Sequence, residues 1–166
     1  MGIAESHLFS SVSPQARLEL SLRALPVYRT EILVIGSGVA GLSCALTAAD
    51  KGKYVMVLSK GALSSSNTAH AQGGMAAALG PDDSPESHAG DSLEVGYGLC
   101  DPRVVEEFTQ SGPESVRWLL ESGMQFDRDA EGGLALGIEG GHRVPRVLHS
   151  GGAATGQELQ RVLSAR

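Results

Sequence analysis

Four consecutive apolar residues, Ile32-Leu33-Val34-Ile35, run directly into Gly36-Ser37-Gly38-Val39-Ala40-Gly41, and this junction limits the chain to few folds. A short unbroken apolar run suits a central parallel strand buried on both faces. The spacing G-x-G-x-x-G behind such a strand predicts a tight turn that opens a helix. Gly36 makes the turn, Gly38 lets backbone approach a diphosphate, and Gly41 lets helix and strand pack closely. Leu42, Ala45, Leu46 and Ala49 then fall at i, i+3, i+4 and i+7, a single packed stripe, with Gly52 as the stop. Tyr54-Val55-Met56-Val57-Leu58 reads as the second strand. Strand, helix and strand occupy residues 31–58, close to the roughly 30 residues of a βαβ unit. The fold class is therefore α/β, with a Rossmann-like parallel sheet. A helix N-terminus offers unpaired N–H groups and the positive end of its dipole to an anion. Gly36, Ser37, Gly38, Val39, Ala40 and Gly41 are accordingly the expected diphosphate-binding residues.

Composition narrows the partners. With 166 residues, 42% apolar and 19% charged, the chain can build a real core and is too apolar for a disordered segment. Twenty-two glycines without a short period exclude collagen and point to a fold whose backbone closely approaches a ligand. A net charge of -6 leaves no basic stripe for nucleic acid, so a small molecule is the expected partner. Residues 32–49 carry no charge, but Gly36, Gly38 and Gly41 with Ser37, Ser43 and Thr47 interrupt the run, which argues against a membrane span. Cys44 and Cys100 are isolated and form neither a redox pair nor a metal-ligand quartet, consistent with a reducing cytoplasmic setting. Residues 1–29 lack any sustained period and read as a poorly ordered extension, leaving residues 30–166 as the amino-terminal part of a nucleotide-binding domain.

Beyond the second strand, residues 61–80 form a segment rich in Gly, Ser and Ala, too long for an idle connection. Ser84-Pro85-Glu86 and Asp101-Pro102 each look like an N-cap followed by proline at the first helical position. Pro113 to Ser122 reads as another helix, with Val116, Leu119 and Leu120 inward and Gly123 as its stop. Asp127 to Gly133 is a turn-rich link. A last helix opens near Thr155 with Leu159, Val162 and Leu163 on one face, and the sequence reaches Arg166 without a stop signal, as though cut within an element.

An NAD-type site places Asp or Glu about 20 residues after its glycines to hold a ribose hydroxyl. Here the second strand exits into Ser59 and Lys60. Lys60 can sit over an adenosine ribose or be an ordinary solvated cation. Asn67-Thr68-Ala69-His70-Ala71-Gln72-Gly73-Gly74 follows. This segment resembles the flavin-contacting loop of the superfamily that contains succinate dehydrogenases, fumarate reductases and L-aspartate oxidases. The resemblance implies FAD, with Lys60 and residues 67–74 among its contacts; small residues let backbone N–H groups reach the edge of a flat isoalloxazine ring. Members that attach FAD covalently carry histidine where this chain has Asn67, so the resemblance implies dissociable, non-covalent FAD and points to the L-aspartate oxidase branch. His70 is three residues away and reads as a packing or hydrogen-bonding residue.

Glu139-Gly140-Gly141-His142, then Arg146-Val147-Leu148-His149 and Ala154-Thr155-Gly156, resemble the pattern of the same branch, so that the likeness extends over about residues 31–166. Ile138 stands where that branch carries arginine, and Ala153 where an acidic residue commonly precedes Ala-Thr-Gly. The resemblance implies that Glu139 orients the substrate through its ammonium group; by residue type alone Glu139 is an exposed turn residue, and His142 and His149 are structural hydrogen-bonding histidines. It further implies oxidation of L-aspartate to iminoaspartate by hydride transfer to flavin N5, feeding NAD synthesis, with oxygen or fumarate as oxidant. The basic residues that grip the substrate carboxylates are expected beyond the position of Arg166, and residues 1–166 alone are expected to turn over little. A soluble fumarate reductase or succinate dehydrogenase flavoprotein, or a non-catalytic FAD-binding fragment, are the alternatives.

Overall fold

The computed structural model describes residues 26–166. The proposed extension lies outside them except for residues 26–29, which have no regular structure. Strand β1 (Ile32–Ile35), helix α1 (Val39–Asp50) and strand β2 (Val55–Leu58) form the anticipated βαβ unit, with β1 and β2 parallel and Ile32 to Ile35 aligned with Val55 to Leu58. Helix α1 buries Leu42 and Ala45 and packs Leu46 on the core, whereas Ala49, the fourth member of the expected stripe, is exposed.

One expectation for β1 fails. The strand is not covered on both faces, since Leu33 is 52% and Ile35 77% exposed while Ile32 and Val34 are half-buried. Among the described residues only β2 flanks β1, and α1 covers a single face.

Helix α2 (Pro85–Val95) begins as anticipated, with Ser84 Oγ accepting the Ser87 N–H at 3.1 Å. Helix α3 (Pro102–Glu121) is capped by the Asp101 carboxylate, which accepts the Arg103 N–H. The separate helix expected from Pro113 is instead the second half of α3, which runs through that proline unbroken. Proline in a helix interior removes one hydrogen bond and costs about 3 kcal/mol. Burial of Thr109, Val116 and Leu119 on one continuous face offsets that cost, and hydroxyls of Thr109, Ser111 and Ser115 donate to nearby carbonyls of the same helix.

Three two-residue strands, β3 (Met75–Ala76), β4 (Leu136–Gly137) and β5 (Val147–Leu148), make a small antiparallel sheet in the order β3-β5-β4. Helix α4 (Thr155–Ala165) follows, with Leu159, Val162 and Leu163 buried as its periodicity predicts. Leu148 of β5 joins Leu42, Ala77, Val116, Leu119, Met124, Phe126 and the α4 leucines in one hydrophobic core.

Arg146, immediately before β5, is completely buried. Its guanidinium donates to both Asp83 oxygens at 2.8 and 2.9 Å and to Asp91 Oδ2 at 2.9 Å, tying β5 to the approach and body of α2. Asp91 also accepts the Arg143 N–H at 3.0 Å, and this bond, with the two arginine charges, holds its carboxyl below the usual range against the opposing effect of burial. His88 lies edge-on to His142 with ring centres 5.5 Å apart. Burial lowers the His88 pKa, the neighbouring Arg146 and His142 lower it further, and Asp83 and Asp91 act the other way.

Replacing Arg146 by Met should leave Asp83 buried without a counter-charge and Asp91 with Arg143 alone, and destabilise the protein by about 3–5 kcal/mol, read from urea unfolding. Because His88 binds its proton more readily when unfolded, its contribution to stability is complete above the ordinary value of 6.5 and declines as pH falls below it. The melting temperature should therefore drop between about pH 7 and pH 5, and His88→Gln should flatten that part of the curve.

Candidate functional site

The turn between β1 and α1 has the backbone its glycines imply. Gly36 has φ +111°, a conformation that favours glycine strongly. A Cβ on Gly41 would collide with the Gly36 carbonyl and lie 3.4 Å from Val34, so α1 sits directly on the turn and on β1. The N-cap of α1 is Gly38, which has no side chain to cap it, and Leu42 N–H bonds back to the Gly38 carbonyl at 3.0 Å. Val39 and Ala40 are exposed beside this helix end. The N–H groups of Ala40 and Gly41 have no hydrogen-bond partner among the described residues, which leaves them for an anionic ligand.

The second glycine-rich segment meets this turn. Thr68 Oγ1 accepts the Val39 N–H at 3.0 Å and lies where a Cβ on Gly38 would be 3.4 Å away. Residues 36–41 and 67–74, separated in sequence by 25 positions between Gly41 and Asn67, therefore share one surface. Thr68, Ala69 and His70 form a single 3₁₀ turn, with Ala69 buried beneath it. Asn67, Ala71, Gln72 and Gly73 are exposed, and nothing lies within 4 Å of a Cβ built on Gly73. His70 is exposed and lines a groove with Leu63, Gln157 and Arg161. Lys60 is exposed at the exit of β2.

Ser37 is placed differently from its neighbours in the turn. It is buried, and its hydroxyl pairs with Ser59 Oγ at 3.0 Å, closing the turn onto the exit of β2. Its carbonyl accepts Gln160 Nε2 from α4 at 3.1 Å.

Gln160 is the residue that the sequence reading missed. Its amide spans the site from below, donating to the Ser37 carbonyl and to Ser164 Oγ and accepting the Ser66 hydroxyl at 2.6 Å. Gly156, one turn earlier, donates its N–H to the Ala71 carbonyl at 3.0 Å; a Cβ there would collide with the Thr68 carbonyl and lie 2.6 Å from that of Ala71. The readable signal was positional: Gly156, Leu159, Gln160 and Leu163 repeat at i, i+3, i+4 and i+7, which places a polar amide on the buried stripe of α4.

At the opposite end of the 67–74 segment, a Cβ on Gly74 would collide with Val147 and lie 2.8 Å from His149 Nε2. That same nitrogen is 3.1 Å from Glu139 Oε1, and Glu139 itself is exposed on a turn closed by the His142 N–H to Glu139 carbonyl bond. The structure thus brings Glu139 beside Gly74 through His149, whereas His142 packs against His88 and the buried arginine.

A βαβ unit with a glycine-lined helix entry and a second small-residue segment against it defines a flavin-type dinucleotide-binding protein. The chain belongs to the FAD binding domain family, whose profile matches residues 31–166, and FAD is the cofactor of that family. It is 48% identical over 133 residues to the L-aspartate oxidase of Streptomyces coelicolor, covering 80% of this chain and 23% of the relative, and 44% identical over 135 residues to that of Caulobacter vibrioides, covering 80% and 26%. Among solved structures it is similar to Mycobacterium smegmatis Sdh1 in complex with UQ1 (TM-score 0.79, 35% identity, 84% of this chain and 24% of that one). It is also similar to E. coli quinol fumarate reductase FrdA (TM-score 0.79, 27% identity, 85% and 24%). The chain spans about a quarter of the length of the curated relatives it matches. No helix among the described residues is long and apolar enough to cross a membrane.

The residues present fit FAD: the open entry of α1 suits its diphosphate, and the exposed, unobstructed backbone at Gly73 suits a flat ring. Gly156→Val or Gln160→Leu should loosen both segments at once. Since an unpaired buried polar group costs roughly 1–3 kcal/mol, Gln160→Leu should weaken FAD binding about tenfold or more, measured by flavin fluorescence titration.

Proposed function

We propose that this chain is the amino-terminal part of the FAD-binding domain of an L-aspartate oxidase, a flavoprotein that converts L-aspartate to iminoaspartate in NAD biosynthesis. The observation that carries the reading is the placement of Glu139, through His149, against Gly74 at the end of the flavin-contacting segment. Residues 36–41 hold the diphosphate at the entry of α1, Lys60 lies on the adenosine side, and residues 67–74 face the ring. When bound, FAD supplies the hydride acceptor, its N5. Glu139 holds the substrate ammonium by a charge-assisted hydrogen bond and so sets Cα in reach of the ring. The surrounding small residues leave the ring edge free for backbone N–H groups.

We read the attachment as non-covalent on the resemblance: Asn67 stands where members with covalent FAD carry histidine, and an amide has no nucleophilic nitrogen of the imidazole type to join the flavin. The oxidant is oxygen or fumarate, and the setting is the cytoplasm. Acid precipitation of the full-length holoprotein should leave the flavin in the supernatant; flavin retained in the pellet would instead indicate the covalent dehydrogenase branch.

L-aspartate should reduce the flavin under anaerobic conditions, and fumarate or oxygen should restore its absorbance. Glu139→Gln keeps the shape of the side chain but removes its charge, so the KM for L-aspartate should rise about tenfold or more, in line with the loss of one charge-assisted hydrogen bond. Absence of any reduction by L-aspartate in the full-length holoprotein would remove the substrate assignment.

A further inference from the structure

Glu139 is an exposed carboxylate on a turn, and apart from His149 no side chain among the described residues bonds to it. An unrestrained glutamate in that position would sample many rotamers. His149, by contrast, is half-buried and carried on a fixed stretch of backbone. Leu148 beside it is paired in the sheet to both Met75 and Leu136 and points into the core, so the imidazole projects from the opposite face. The His149 carbonyl accepts the Asp127 N–H at 2.8 Å, and the next residue, Ser150, donates its hydroxyl to the Gln125 carbonyl at 2.6 Å. The ring lies over Gly137, 3.7 Å from the position of a Cβ there, and presses on Gly74. Strand β4 and the residue just before β3 thus both present glycine where the imidazole lies.

We propose that His149 is a positioning residue for the substrate: it fixes the Glu139 carboxylate at the Gly74 end of the flavin-contacting segment by donating from Nε2 to Oε1, leaving Oε2 for the substrate ammonium. This rests on the reading of Glu139 as the ammonium-binding group. An ionised carboxylate only accepts, so a neutral His149 must carry its proton on Nε2 to make this bond. The division of labour is chemical. The histidine occupies one oxygen and sets the direction of the other, and the carboxylate keeps its charge for the cation.

The test uses the full-length holoenzyme and two polar variants of similar surface character. His149→Gln can place an amide donor close to the position of Nε2, whereas the amide of His149→Asn stops short of Glu139. His149→Asn should raise the KM for L-aspartate about tenfold with a change in kcat of less than about threefold, and His149→Gln should restore most of the loss, as expected for one charge-assisted hydrogen bond. Succinate, a dicarboxylate without an ammonium group, should bind both variants as it binds the unmodified enzyme, read from the perturbation of the flavin absorbance. In the Glu139→Gln background, His149→Asn should have no further effect on KM. An equal loss of succinate affinity would make His149 merely structural, and an unchanged KM in His149→Asn would exclude positioning; either overturns the proposal. Should His149→Asn fail to retain FAD while His149→Gln behaves as the unmodified enzyme, a structural role is again indicated and the proposal falls. If the unmodified holoenzyme binds FAD yet neither responds to L-aspartate nor binds succinate, the substrate reading itself is overturned, and this role with it.

Discussion

The arrangement of the site depends on one buried amide. Gln160 reaches from α4 to the Ser37 carbonyl of the glycine turn and accepts the Ser66 hydroxyl at the edge of the second segment. These groups are 123 and 94 positions away in sequence, so no local interaction could hold them together. A primary amide suits the task because it donates and accepts at once, satisfying both ends in a place where an unpaired polar group would be costly. Gly156 makes the approach possible, since any side chain there would strike the carbonyls of Thr68 and Ala71. With α4 docked in this way, a mobile-looking run of small residues becomes a fixed wall beside the glycine turn.

A second anchor works at the other end. Arg146 is buried with Asp83 and Asp91, and Arg143 pairs with Asp91 and Glu94 from the turn that carries Glu139. Burying such charges is expensive, and their value lies in geometry: a bidentate arginine allows very few arrangements of the segments it joins. It fixes where β5 begins, and β5 in turn places His149 against Gly74. The surface shared by residues 36–41 and 67–74 and the corner formed by Glu139, His149 and Gly74 are therefore supported by different polar networks, one uncharged and one ionic. His88 makes the ionic network sensitive to acid, while the amide network has no titrating member.

Helix α3 illustrates how tertiary burial overrides local preference. Proline at position 113 is a strong signal for a helix start, and read locally it divides the region in two. The helix continues because Thr109, Val116 and Leu119 lie along one face that the core covers. The exposed β1 residues Leu33 and Ile35 make the converse point: an apolar run identifies a strand without saying how many faces of it are covered within these residues.

The βαβ unit, the capped starts of α2 and α3, the inward face of α4 and the glycine turn were legible in the sequence because each rests on interactions within a few residues: hydrophobic period, a capping side chain, a glycine spacing. Residues 67–74 were legible as a candidate flavin-contacting segment only through a resemblance, since small residues alone carry no direction. What the tertiary structure alone decided is how distant pieces meet. Met75 finds Leu148, Arg146 finds Asp83, Glu139 finds His149 and Gln160 finds Ser37. Each of these contacts, apart from the ten-residue step between Glu139 and His149, joins residues more than sixty positions apart, and even that step passes through a turn and a sheet register that no local pattern encodes. Sequence periodicity reports which face of an element is apolar; only the packing of all elements around one core determines which polar groups end up opposite one another.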